Sequence, residues 1–121
     1  MQRWLEELGG AIEVVFANND DMALGAIDAC LDAGMTAEEM PFIVGVDATA
    51  PALRAMEEGT LRGTVLNDAA GQAADILALS CALAQGEDPG AAVELEDEKY
   101  CWRPHTAVTR ENLAEFLPEA P

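Results

Sequence analysis

Three short apolar runs each stop at a carboxamide or carboxylate, and each is followed by a stretch with helical periodicity. The first is Val14-Val15-Phe16-Ala17-Asn18-Asn19-Asp20. The second is Phe42-Ile43-Val44-Gly45-Val46-Asp47. The third is Gly63-Thr64-Val65-Leu66-Asn67-Asp68. Short β-branched and apolar runs of this kind read as strands. Strands alternating with helices imply an α/β domain with a mainly parallel sheet and right-handed crossovers. In such sheets the carboxyl ends of the strands share one edge, and ligands bind there. Asn19, Asp47 and Asn67 are therefore expected at a common edge.

The intervening segments fit that alternation. Met1 to Leu8 reads as a helix, with Trp4, Leu5 and Leu8 on one face and Gly9-Gly10 to stop it. It opens without a cap, which suggests a piece of a longer chain. Ile12 to Ala17 reads as a strand. Asp21 to Ala33 reads as a helix with an apolar stripe of Met22, Ala23, Ala26, Ile27, Cys30 and Leu31, closed by Gly34. Phe42 to Val46 is apolar throughout, as expected of a strand covered by helices on both faces. Pro51 marks the start of a helix with Leu53 and Met56 inward and Gly59 behind it. Leu61 to Leu66 is the next strand. Asn67 or Asp68 caps a helix over Ala69–Gln85, with Ala73, Ile76, Leu77, Ser80 and Leu83 on one side. From Glu87 the pattern changes. Ala92 to Leu95 and Lys99 to Trp102 are candidate short strands in a hairpin around Asp97, Pro104 breaks the second, and Thr106 to Val108 is a further strand. Thr109 is expected to cap a last helix with Leu113, Phe116 and Leu117 inward and Pro118 after it.

Charge narrows the partners. Twenty-three acids against six bases give a formal charge of −17. Such a field repels phosphate, so nucleic acid and anionic membrane are poor partners. Arg3, Glu6 and Glu7 interrupt the first residues, which are not expected to be a signal peptide. The three cysteines, Cys30, Cys81 and Cys101, form no C-x-x-C motif, and their odd number argues against a disulfide framework. Cys30 and Cys81 fall on apolar helix faces and are expected to be buried.

Several chemistries lack their residues. There is no G-x-G-x-x-G and no P-loop motif. His105 is the sole histidine and Ser80 the sole serine, one beside Pro104 and the other in a helix, so no nucleophilic triad assembles. The chain is not expected to be an enzyme. What remains is Asn and Asp at strand ends. An amide both donates and accepts, while an ionised carboxylate only accepts. Sugar hydroxyls present both functions and suit that pair. Taken singly, each strand-end residue is better accounted for as the cap of the following helix; taken together, capping and binding balance.

Asn18-Asn19-Asp20-Asp21-Met22-Ala23-Leu24-Gly25-Ala26, Gly45-Val46-Asp47-Ala48 and Gly59 to Asp68, continuing through Gln72-Ala73 to Glu111-Asn112-Leu113-Ala114-Glu115-Phe116, resemble the periplasmic sugar-binding proteins of ABC transporters. The likeness is strongest to their galactose/glucose-binding branch and weakest over Glu87 to Val108. It implies a three-layer α/β/α architecture, the C-terminal portion of a type I periplasmic binding protein fold. On this resemblance Asn19 bonds sugar hydroxyls, Asp47 accepts hydroxyl protons from a pyranose, and Asn67 is a polar group on the hinge side of the cleft. Glu13 matches a glutamate that helps ligate calcium in the family. The rest of that loop would precede Met1, so Glu13 reads better here as a solvated strand-edge acid, and no cofactor is expected.

The resemblance covers only the last third of a family member. It implies that 1–68 is part of the C-terminal lobe, 69–103 a helix and crossover that pack on the absent N-terminal lobe, and 104–121 a return to the C-terminal lobe. The intact parent would be extracytoplasmic, bind a monosaccharide and deliver it to an ABC permease. The isolated chain is expected to self-associate as a homo-oligomer, by exchange of Ala69–Gln85 or the C-terminal segment, and to bind sugar weakly or undetectably. Two alternatives stand beside this. One is the effector domain of a lactose-repressor-type regulator, whose helix-turn-helix is not legible in these residues. The other is a stand-alone flavodoxin-like half-protein that self-associates.

Overall fold

β-Branched and apolar residues form the strands, and the polar residues behind them start the helices. The computed structural model describes residues 1–117. In order the elements are α1 (Gln2–Leu8), a 3-10 turn (Gly9–Ala11), β1 (Val14–Phe16), α2 (Asp20–Asp32), β2 (Phe42–Val44), α3 (Ala50–Glu57), β3 (Thr64–Leu66), α4 (Ala69–Gln85), α5 (Pro89–Ala92), β4 (Thr106–Val108) and a 3-10 turn (Leu113–Glu115). By internal contacts the chain divides into two units, Met1–Asn67 with Thr106–Pro121, and Asp68–His105.

In the first unit β1 and β2 pair in parallel, Val14 opposite Phe42 and Phe16 opposite Val44. β3 joins β2 through the parallel bridges Val44–Gly63 and Asp47–Leu66. Arg62 N–H donates to the Ile43 carbonyl (2.9 Å), Gly45 N–H to Gly63 (3.1 Å) and Asp47 N–H to Val65 (2.8 Å). β4 runs antiparallel to β3, with Thr64 opposite Val108. The parallel order places the ends of β1, β2 and β3 side by side.

The core lies between this sheet and the helices. Ala23, Ala26, Ile27 and Cys30 of α2 meet Ile43 of β2, Leu53 and Met56 of α3, and Leu61, Val108 and Leu113. Full burial of an aliphatic side chain such as Ile43 stabilises by about 1.5–3 kcal/mol. Local chemistry sets the helix limits. Behind α2, Gly34 at φ 81° lets its own N–H reach the Leu31 carbonyl (2.8 Å) and Met35 N–H reach Cys30 (3.1 Å), a Schellman closure. Gly59 and Gly86 stand behind α3 and α4 with φ of 80° and 71°.

Several expectations are corrected. Phe42 to Val46 is not covered on both faces. Val14, Phe16 and Phe42 are 61%, 78% and 53% exposed, and Phe16 and Phe42 line a shallow apolar groove with Val44, Val65 and Val108. Strand β2 stops at Val44, shortly before the chain turns at Asp47. Met22 and Leu31, at the margins of the α2 stripe, are half exposed. Cys81 is exposed, because the apolar residues Ile76, Leu77 and Leu83 of α4 are themselves open to solvent. Ala92 closes the short helix α5 instead of opening a strand. The expected hairpin reduces to one antiparallel bridge, Glu96–Tyr100, around Asp97 and Glu98 at positive φ. The last helix is a 3-10 turn. There the Asn112 side chain accepts from Thr109 N–H (2.8 Å) and donates to the Ala107 carbonyl (3.0 Å), competing with helical bonding. Pro118 lies outside the described residues.

Candidate functional site

Asn and Asp behind a strand can cap the next helix, face the edge or do both, and their bonds show which roles are filled. Asn19 is the N-cap of α2: its Oδ1 accepts from Met22 N–H at 2.9 Å. The cap of α3 is Thr49, not Asp47; its hydroxyl accepts from Ala52 N–H at 3.4 Å. The cap of α4 is Asp68, not Asn67; its Oδ1 accepts from Gly71 N–H at 2.9 Å. The local capping explanation therefore accounts for Asn19 and leaves Asp47 and Asn67.

Those two residues meet. Asn67 Nδ2 donates to Asp47 Oδ1 at 3.4 Å, and both residues are partly exposed. The bridge Asp47–Leu66 brings them together, since Asn67 follows Leu66 directly. Asn19 stands at the same edge: Asp20 N–H, one residue on, donates to the carbonyl of Val46 at 2.8 Å, just ahead of Asp47. Asp47 and Ala48 have φ of 115° and 53°, a conformation uncommon for residues with a Cβ.

Beneath the edge lies a residue that pattern reading missed. Asp20 is fully buried. Its Oδ1 accepts from the Thr64 hydroxyl at 2.6 Å and its Oδ2 from Thr49 N–H at 2.7 Å. Thr64 Oγ1 in turn accepts from Ala48 N–H at 3.2 Å. A buried carboxylate is costly unless its oxygens are bonded. Among the described residues no cation pairs with Asp20. Instead it is the first residue of α2 and bonds the cap residue of α3, so the positive ends of two helices converge on it. The only available signal was an excess: Asn19-Asp20-Asp21 holds more polar groups than one cap needs, and Thr64 is a hydroxyl in an apolar strand.

Glu13 is exposed, and among the described residues no group of three or more His, Cys, Asp or Glu side chains is placed to hold a metal. Among the described residues no helix is long and apolar enough to cross a membrane.

The second unit carries its own polar cluster. Arg103 grips Asp75 with two bonds, Nε to Oδ2 at 2.5 Å and Nη2 to Oδ1 at 2.6 Å, and Nη1 lies 3.7 Å from Asp68. The Cys101 thiol donates to Asp75 at 3.3 Å. The guanidinium holds Asp75 below the usual carboxylate range, and the Asp75 bond pushes the Cys101 thiol up. Tyr100 and Trp102 stack beside this cluster, with ring centroids 5.7 Å apart.

The model of the family described as "periplasmic binding protein domain" matches residues 1–88. The chain belongs to this family. It is 43% identical over 108 residues to the D-galactose/methyl-galactoside binding periplasmic protein of Haemophilus influenzae, an overlap covering 88% of this chain and 31% of that protein. It is 40% identical over 116 residues to a putative rhizopine-binding protein of Rhizobium meliloti, covering 96% and 34%. Among solved structures it matches an ABC transporter solute-binding protein of Bacillus halodurans with bound myo-inositol, at a TM-score of 0.80 and 40% identity, covering 95% of this chain and 36% of that one. The fold is accordingly the α/β fold of type I periplasmic binding proteins, and the chain spans about a third of the length of the curated relatives it matches.

Proposed function

We propose that this chain is the C-terminal part of the extracytoplasmic solute-binding component of an ABC importer, and that Asp47, Asn67 and Asn19 hold ligand hydroxyls. The observation that carries the reading is the Asp47–Asn67 pair at the carboxyl edge, since neither residue is used as a helix cap. A carboxylate accepts from one hydroxyl while the neighbouring amide donates to the next, which suits adjacent hydroxyls on a ring. The ligand class is a monosaccharide. The likeness to a galactose-binding relative favours a galactose- or glucose-type hexose, and the bound myo-inositol of the Bacillus halodurans protein makes a cyclitol the second choice. The role is binding and delivery, not catalysis.

In this reading 1–68 and 104–121 belong to one lobe and 69–103 crosses to another, and closure of two lobes about a hinge traps the ligand for a permease. One wall alone binds weakly. The open apolar residues of β1, β2 and α4 favour self-association of the isolated chain. The test is an NMR titration of the ¹⁵N-labelled chain with D-galactose and with myo-inositol. Saturable shifts at Asn19, Asp47 and Asn67, in the millimolar range and absent in Asp47→Ala, are expected. Shifts that persist in Asp47→Ala refute the site. Micromolar binding by calorimetry refutes the single-wall argument.

A further inference from the structure

We infer that Asp20 is a positioning residue for the carboxylate of Asp47, holding the turn after β2 in a conformation it would not keep alone. The importance of that turn rests on Asp47 as a hydroxyl-binding group; the geometry of the turn does not.

Asp47 and Ala48 are consecutive non-glycine residues at positive φ, 115° and 53°. Such a pair persists only where its surroundings over-determine it. Asp20 meets the chain on both sides of Asp47. Ahead of it, Asp20 N–H donates to the Val46 carbonyl at 2.8 Å. Behind it, Thr49 N–H donates to Asp20 Oδ2 at 2.7 Å. The amide between, Ala48 N–H, reaches the same carboxylate at one remove: it donates to Thr64 Oγ1 at 3.2 Å, and the Thr64 hydroxyl donates to Asp20 Oδ1 at 2.6 Å. Only Asp47 N–H bonds elsewhere, to the Val65 carbonyl at 2.8 Å, which keeps Asp47 in register with Leu66 and beside Asn67.

The direction of these bonds requires a carboxylate. Both Asp20 oxygens accept, and the Thr64 hydroxyl, already accepting from Ala48, gives its single proton to Oδ1. Gly45 makes the approach possible, because a Cβ there would overlap Asp20 Oδ1. Asp20 is fully buried and Asp47 partly exposed, so Asp20 acts through the turn and not on a ligand.

The test needs no sugar. Amide exchange at Ala48 and Thr49, and the HN–Hα couplings of Asp47 and Ala48, are measured in the whole chain, in Asp20→Ala, in Thr64→Val, and in Ile27→Val as a core variant remote from the turn. Loss of the Thr49 hydrogen bond to the carboxylate predicts exchange about tenfold or more faster at Thr49 in Asp20→Ala than in Ile27→Val, and release of the Thr64 hydroxyl raises exchange at Ala48 as well, with altered couplings at Asp47 and Ala48. Should Asp20→Ala not fold, near-isosteric Thr64→Val carries the test: exchange rises at Ala48 more than at Thr49, and the Asp47 coupling moves. Couplings unchanged in the variants, with exchange tracking Ile27→Val, overturn the positioning role. A chain whose sugar-induced shifts survive in Asp47→Ala but which shows the predicted exchange refutes the ligand reading and leaves the device standing.

Discussion

Replacing Gly45 by alanine tests the closest approach in the site. Gly45 is buried in the segment that follows β2, and an ideal Cβ there would overlap Asp20 Oδ1, lie 3.1 Å from Asp20 Cα and 3.3 Å from Ala23 Cβ. Its φ is outside the left-handed region, so the whole cost is steric. Two of the three contacts, Asp20 Cα and Ala23 Cβ, are fixed to the first turn of α2, which cannot rotate away as a side chain can. Overpacking of this kind costs about 1–3 kcal/mol. Displacing the carboxylate from Thr49 or Thr64 costs roughly 1.5–3 kcal/mol more, as a hydrogen bond to a charged group. Reduced freedom of the unfolded chain returns about 0.4–1 kcal/mol. The net expectation is a loss of about 2–5 kcal/mol, a large share of the roughly 5–15 kcal/mol of an ordinary domain. Urea unfolding reads it as a lower midpoint at unchanged slope. In an Asp20→Ser background the same substitution should cost less, because the overlapped oxygen is gone. A loss under about 0.5 kcal/mol, or equal costs in both backgrounds, refutes the reasoning.

The pH response and the thiols supply the other predictions. Arg103 holds Asp75 below its ordinary value, so on acidification the unfolded chain binds that proton first. The stabilisation is full well above the ordinary aspartate value of about 3.9 and is lost progressively as pH falls through that value to the lower folded one. The urea midpoint of the wild type should therefore fall more steeply than that of Arg103→Gln over this range, and parallel curves refute the pairing. Burial pushes the Cys30 thiol up, the bond to Asp75 pushes Cys101 up, and Cys81 is exposed. Alkylation of the native chain followed by mass spectrometry should label Cys81 first, Cys101 next and Cys30 only on unfolding; early labelling of Cys30 refutes the packing of α2.

Features set by near neighbours along the chain are legible in the residues themselves. The stops at Gly34, Gly59 and Gly86 and the cap at Asp68 depend on bonds within one helical turn. Exposure is less legible. The stripe on α4 has the periodicity of a packed face, yet periodicity says nothing about whether a partner lies over it, and Cys81 follows the stripe into solvent. Asn112 falls within a helical pattern, but its side chain bonds the backbone on the far side of the turn.

The sequence alone determined the strand–helix alternation and the polar edge it creates, because strand period, helix period and cap chemistry act over a few residues. The tertiary structure decided the roles at that edge. Asp20 and Thr64 are 44 residues apart and Asp47 and Asn67 are 20 apart. Which of them meet depends on the register between β2 and β3, and a slip of one residue would send every side chain to the opposite face. Register is a property of paired strands, so only the folded chain could separate Asn19, which caps, from Asp47 and Asn67, which meet, and from Asp20, which is withdrawn beneath them.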